Sequence, residues 1–479
     1  MNFSLLKLEM ATCGLAMLVL MLEAFVTRRD RRFLGYVGAA GLLAILAWSY
    51  CPSVTAGGFT MGSGFGGMWV NDLTALYFKR LFLIGTALVL VMSVGFARQL
   101  EGGVGEFFAL ILFACTGMML TASVNDFLML FVALETVTMS FYILVVWLRR
   151  QQQSLEAGVK YLILGALSSA FLVYGITFIY GTTGTTGFAG VAAFLKANAA
   201  SAPLKVGLLL VLAGLGFKIA TVPFQAWVPD VYQGAPTPVT AFLAVGSKAA
   251  GFALLLRVLF KALAPVKPTW VLLIGTLAGL SVLYGNLAAM PQRNVKRLLG
   301  YSSISHAGFL LLGIAAADRF GIEAVLFYLV AYLFTNLCAF TVISCLAGTL
   351  PDDERENYAG LAQRSPLLAA AMTVALASLA GVPPMAGFFA KFLIFTAMVG
   401  QKMWCLVIIG AIGVVVSLYY YLGVVKAMYW QEPRESSAIT VSWPMRVLLW
   451  VTMVAVIGIG VFQGALAQRA LDAAATLLK

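Results

Sequence analysis

The chain has 479 residues, 62% of them hydrophobic and 10% charged, with a formal net charge of +12 and a mean hydropathy of +0.96. A soluble domain averages about 45–50% apolar and about 25% charged residues, so the composition excludes one and predicts an all-α polytopic membrane protein. The basic residues are scattered through short loops and form no patch, which argues against nucleic acid and for loops facing the cytoplasm. Six cysteines form no CxxC pair and there is one histidine, so no metal-ligand cluster is expected.

The first apolar run, 5–26, is followed by Arg28, Arg29, Arg31 and Arg32, where a cleaved signal would put its charge first. It reads as a retained first span. Further runs of the length a bilayer needs, about 20 residues, fall at 33–51, 73–96, 107–122, 126–148, 157–180, 204–229, 237–262, 269–289, 294–316, 321–348, 366–400, 403–428 and 445–466. That predicts about fourteen spans, the twelfth long enough to be interrupted. An even count puts both termini on one side. Loops after odd-numbered spans carry fifteen lysines and arginines against nine on the other side, which places both termini outside the cytoplasm. The longest loops, 52–71 and 181–203, are glycine- and threonine-rich and are expected on the outer side. The glycines at 62, 64, 66 and 67 follow no strand of a βαβ unit and do not make a nucleotide loop. The acidic run Asp352–Glu356 reads as a solvated loop.

The most informative stretch is 207–256. Lys218 and Lys248 each lie near the middle of an apolar run, with Pro223, Pro229, Pro236 and Pro238 between them. A lysine at bilayer depth costs roughly 3 kcal/mol on insertion scales. Proline breaks the helix ladder, and broken backbone at that depth must be buried in protein or line a wet cavity. The twelfth span repeats the theme, with Pro383 and Pro384 two turns before Lys391. Glu135 in the fifth span and His306 in the tenth are also at mid-depth, while Lys160 lies one turn into the sixth. Lys79, Arg80 and Arg257 are close enough to span ends to snorkel.

Two broken helices five spans apart suggest an internal duplication of the kind found in transporters, over spans four to eight and nine to thirteen. The expected organisation is an N-terminal three-helix segment (1–106), a first repeat (107–262), a second repeat (263–430) and a C-terminal helix (431–479). A carboxylate brought to or withdrawn from a buried ammonium changes its proton affinity by a few kcal/mol. That matches the roughly 3.5–4.6 kcal/mol needed to move one charge across about 150–200 mV. Proton translocation is therefore favoured over the alternative of a permanent structural ion pair, since three lysines and one glutamate do not balance, while His306 is open to a packing role.

The segments GFKIATVPFQAWVPDVYQGAPTPVTAFLAVGSKAAGF, VKRLLGYSSISHAGF and GVPPMAGFFAKF resemble the antiporter-like subunits of respiratory complex I, which are related to Mrp-type cation/proton antiporters. The likeness extends over nearly the whole chain. Lys391 in place of a glutamate, and the end of the chain after the fourteenth span, separate it from the subunit classes M and L. The resemblance implies a proton-translocating membrane-arm subunit of a bacterial inner-membrane NADH–quinone oxidoreductase, with periplasmic termini. It implies that Glu135 pairs with Lys218 and Lys160 modulates the pair, that Lys248 and His306 relay protons, and that Lys391 is the exit-side lysine. It also implies a hetero-oligomer with a neighbouring M subunit, small subunits such as K and J, and lipids. Neither cofactor nor metal is expected on this chain, and redox chemistry falls to other subunits. The alternative is a subunit of an Mrp-type antiporter or a membrane-bound hydrogenase-like complex.

Overall fold

In hydrocarbon every backbone N–H and C=O needs an internal partner, and a helix provides them within one segment. The apolar runs fold accordingly. The computed structural model describes residues 3–26, 31–51, 62–100, 102–433 and 437–478. Arg28, Arg29, Arg434 and Lys479 among the counted basic residues, and residues 52–61 of the first long loop, lie outside them.

The helices in order begin with α1 Lys7–Phe25, α2 Phe33–Trp48, α3 Leu73–Phe96, α4 Val104–Ala122, α5 Phe127–Val145 and α6 Gln152–Thr183. Next come α7 Phe188–Ala197, α8 Ala202–Ile219 and α9 Val228–Gly234, then α10 Thr237–Ala262. The chain continues through α11 Lys267–Ala289, α12 Val295–Ala315, α13 Arg319–Leu346, α14 Pro366–Ala380 and α15 Ala386–Gly400. It closes with α16 Trp404–Trp430, α17 Trp443–Val461 and α18 Gly464–Leu478. Among the described residues, twelve helices are long and apolar enough to cross a membrane. The predicted second span is the shorter α2, of 16 residues. The predicted twelfth is two helices of 15 residues each, α14 and α15.

Starts and stops follow local chemistry. Asp72, Asp126, Asn294 and Asp318 cap α3, α5, α12 and α13 with their side-chain oxygens, satisfying N–H groups that a first turn leaves unpaired. α8 stops where Ala220 takes φ +61°, and α14 stops where Gly381 takes φ +90°. The left-handed conformation is uncommon for a residue with a Cβ; at Ala220 it lets the Ala220 and Thr221 amides close on the end of α8. Past Gly381 the chain doubles back tightly: a Cβ on Gly387 would lie 1.8 Å from the Ser378 carbonyl.

Several expectations are corrected. The predicted seventh span, 204–229, is α8 alone; Pro229 lies in the first turn of α9, beyond a non-helical stretch. The loop 181–203 is not irregular: it holds the ten-residue helix α7. Residues 62–71 of the first long loop form a two-stranded hairpin, Gly62–Gly64 against Trp69–Asn71. The acidic loop is clamped: Asp353 lies 3.8 Å from Lys296 and Glu354 bridges to Asn294. A further helix, α18, follows the last span and is amphipathic, with Ala470, Ala473, Ala474 and Leu477 buried.

Neither Arg257 nor Lys79 snorkels. Arg257 is buried, donating to the Ala122 carbonyl at 2.6 Å and to Asp72 at 2.8 Å. Lys79 is fully buried against Glu9 at 2.7 Å and Asn71 at 2.6 Å. Glu9, in the first span, is thus a buried acid that the sequence did not single out, in addition to the half-buried Glu135.

Candidate functional site

The buried cations Lys218, Lys248 and Lys391 are held by helix ends and by facing helices. Lys218 is the last residue but one of α8, so the break at Ala220 leaves its side chain beside α5. Its Nζ donates to Thr138 Oγ1 at 2.5 Å. Glu135 sits one turn earlier on α5 and accepts from Ser169 of α6, also at 2.5 Å. The structure therefore brings Glu135 and Lys218 to the same helix face without an ion pair between them; each is held by a hydroxyl. Spacing gave no hint of these hydroxyls, because serine and threonine on an apolar helix usually bond their own backbone.

Lys248 follows a π-helical turn, Leu243–Ser247, within α10. Such turns aim a residue away from the regular helix face and cluster at functional sites. Its Nζ donates to the Ser303 carbonyl of α12 at 2.7 Å. Three residues on, His306 stands between two phenols, with Nδ1 2.5 Å from Tyr328 and Nε2 3.2 Å from Tyr421. Tyr421 also bonds Ser302. Three residues further, Phe309 lies under Lys391, whose Nζ is 5.0 Å from the ring centroid. Ser303, His306 and Phe309 share one stripe of α12, as i, i+3 residues do. The stripe covers about 9 Å at 1.5 Å per residue and runs from Lys248 to Lys391.

Lys391 belongs to the second break. From α15 it reaches back to the end of α14 and donates to the carbonyls of Leu379 and Ala380, at 2.7 and 3.0 Å. These carbonyls are among the acceptors that a helix end leaves unpaired. The ammonium thus satisfies the break that its own sequence creates. The two breaks differ: Lys218 precedes its break and bonds another helix, while Lys391 follows its break and bonds the broken end.

Lys218, Lys248, His306 and Lys391 are each no more than 4% exposed. Lys160 is different, with its side chain 41% exposed and held by Glu156 and Asp230, both at 2.6 Å. Asp230 also accepts from Arg297 of α12 at 2.6 Å, so it ties α6, α9 and α12 together. Asp230 was missed in the sequence; its place inside the proline-broken stretch, between Pro229 and Gln233, was the available signal. Beside this triad a polar cavity of about 390 Å³, lined by Gln151, Gln233, Thr237, Lys296 and Asp353, reaches the start of α10. Thr237 is three turns of helix before Lys248. Among the described residues, no group of three or more His, Cys, Asp or Glu could hold a metal ion.

The stretch that supplies this geometry, α5 to α16, is the stretch that family comparison singles out. The profile described as NADH:quinone oxidoreductase/Mrp antiporter, TM, matches residues 124–417. The chain belongs to that family. It is 43% identical to the NADH-quinone oxidoreductase subunit N of Desulforamulus reducens, over all of this chain and 99% of that one. It is 42% identical to the subunit N of Moorella thermoacetica, over 99% of each. Its fold superposes on a chain of respiratory complex I from Thermus thermophilus with a TM-score of 0.80 and 33% identity, covering 96% of this chain and 98% of that one. A chain of the Mrp complex from Dietzia superposes with a TM-score of 0.85 at 20% identity, covering 100% and 98%; at that identity the likeness concerns fold alone. Membership of this family and a mostly helical polytopic architecture are as the sequence led us to expect.

Proposed function

We propose that this chain is the N-type, proton-translocating membrane-arm subunit of a bacterial NADH–quinone oxidoreductase. The reading is supported by full-length similarity to subunits of that name. The observation that carries it is the set of buried ionisable groups: Lys248, His306 and Lys391 meet along one stripe of α12, and Lys218 is held at α5 by Thr138. Burying three lysines is costly, and a chain retains them where they exchange protons.

In the mechanism, Glu135 moves between Ser169 and Lys218. Its approach favours the ammonium at Lys218 and its withdrawal favours release. Thr138 holds Lys218 in the meantime. Lys248 and His306 pass the proton along α12, the phenols of Tyr328 and Tyr421 setting the imidazole between them. Lys391 is the terminal group at the second break. Lys160 sets the field near Glu135 through its pairing with Asp230. The chain binds no redox cofactor itself, and electron transfer on other subunits drives the cycle.

The same reading gives α2 and the α14–α15 pair the status of spans, for fourteen in all. They fall into a first repeat over 107–262 and a second over 263–430, after an N-terminal segment and before a C-terminal helix. Both termini lie on the periplasmic side of the inner membrane. Neighbouring antiporter-like subunit M and small subunits such as K and J are the partners. The Mrp likeness adds no separate reading.

The test is NADH-driven proton uptake into inverted membrane vesicles, measured together with electron transfer. Neutralising Lys218 or Lys248 lowers proton uptake under the proposal. Wild-type uptake and turnover in both variants would remove it.

A further inference from the structure

Away from the proton row, an apolar cleft of about 240 Å³ opens between α3, α13 and α18. Leu76, Leu81, Ile84, Leu333 and Phe334 line it, as do two arginines, Arg80 and Arg469. Arg80 is fixed. It donates to the Ser49 carbonyl at 2.6 Å and to Ser49 Oγ at 3.1 Å, and its guanidinium stacks 3.7 Å from the Tyr50 ring centroid. Arg469 projects from α18 close enough to repel Arg80 electrostatically. Among the described residues, neither arginine has a carboxylate within ion-pair distance. Asp472, which also borders the cleft, takes the Gln468 amide at 3.0 Å.

The surroundings define what fits. α18 is amphipathic and pinned to the start of α3 by Thr74, which donates to the Ala473 carbonyl at 2.7 Å. It lies over the N-terminal end of the membrane-length helix α3, with its apolar face packed on the protein. The cleft runs down from it beside Leu73 to Ile84, eleven residues or about 16 Å of helix at 1.5 Å per residue. An apolar slot of that length that also carries two like charges calls for one long apolar chain with an anion at its head.

We propose that this cleft is a binding site for an anionic diacyl phospholipid. Its phosphate lies between Arg80 and Arg469, and one acyl chain lies in the slot between α3 and α13. A phosphate oxygen takes guanidinium N–H donors in the forked geometry that arginine provides. The phosphate also relieves the repulsion between the two cations. The site is independent of the proton-transfer reading.

The test uses the intact purified complex, stripped of loosely held lipid and reloaded from mixed micelles of phosphatidylglycerol and phosphatidylcholine with identical chains. Retained lipids are counted by native mass spectrometry. Arg469→Gln removes one cation from an exposed position, and Ile84→Trp fills the slot without touching the headgroup end. The wild-type complex retains phosphatidylglycerol in preference to phosphatidylcholine, and each variant lowers that retention by at least about threefold, which is about 0.65 kcal/mol. Equal retention in the wild type and both variants overturns the proposal. So does equal retention of the two lipids. Displacement of phosphatidylglycerol by millimolar inorganic phosphate, with no effect of Ile84→Trp, overturns it in favour of a free-anion site. Loading only after neighbouring subunits are removed overturns it in favour of a protein contact. If Arg469→Gln fails to assemble, Ile84→Trp decides.

Discussion

Lys218 and Glu135 face each other across α8 and α5 without touching, each occupied by a hydroxyl: Thr138 for the lysine and Ser169 for the glutamate. Thr138 and Glu135 are one turn apart on α5, so the present partner of Lys218 and its prospective one share a helix face. An ammonium with one neutral partner is ready to be paired or deprotonated; one locked to a carboxylate is not.

Thr138→Val removes the hydroxyl and leaves the shape. A hydrogen bond to a charged group is worth about 1.5–3 kcal/mol, so the variant shifts Lys218 toward its neutral form or toward Glu135. Coupled proton uptake in vesicles falls on the order of tenfold, and Ser169→Ala has a smaller effect in the same assay. Wild-type uptake in Thr138→Val would show that the hydroxyl is incidental.

Lys391 serves two purposes that substitution separates. Its Nζ satisfies two carbonyls at the end of α14, and in the proposed relay it is the terminal titratable group. Lys391→Gln keeps donors and loses titration; Lys391→Leu loses both. The glutamine variant assembles with near wild-type thermal stability but does not pump. The leucine variant also unfolds more readily, by about 1–3 kcal/mol for an unpaired buried acceptor. The donor requirement means that a titratable group alone does not suffice here: an ionised Lys391→Glu would face carbonyls. Equal thermal stability of the two variants would contradict the double role.

Asp230 bridges Lys160 and Arg297 with 28% of its side chain exposed. Partial exposure screens the pair, so Asp230→Asn costs about 1 kcal/mol in chemical unfolding of the complex, and Lys160→Ala in the Asp230→Asn background adds little. Additive losses in that double-mutant cycle would show that the two residues act separately.

The Glu9–Lys79 pair is buried on both sides, at 3% and 0% exposure. Removing one partner strands a charge and costs about 3–5 kcal/mol, whereas replacing both with apolar residues is often neutral. Lys79→Met alone therefore lowers the assembly yield of the complex sharply, and Glu9→Leu with Lys79→Met restores most of it. A double variant as poor as the single one would mean that Lys79 matters for more than its partner.

The helical class, the two breaks and the candidates Lys218, Lys248, His306 and Lys391, all of them buried, were legible because charge and proline stand out against an apolar background. What spacing cannot carry is direction. Glu135 and Lys218 lie at matching depth, yet their actual partners are hydroxyls that look like any apolar-helix threonine or serine. Arg257 lies near a span end and was expected to reach water, but Asp72 and the Ala122 carbonyl turn it inward. Lys160, one turn into the sixth span, could by sequence face either the interface or the interior; Asp230, seventy residues away, holds it at a half-exposed surface. The helix α7 was missed because glycine and threonine flanks made its short apolar run read as loop.

The account depends on the α12 stripe passing protons between Lys248 and Lys391. The direct measurement is the proton-to-electron ratio of NADH oxidation in vesicles carrying His306→Phe, which keeps the ring packing and removes the titratable nitrogens. The account predicts a lower ratio, with assembly of the complex intact. An unchanged ratio at unchanged turnover would contradict it.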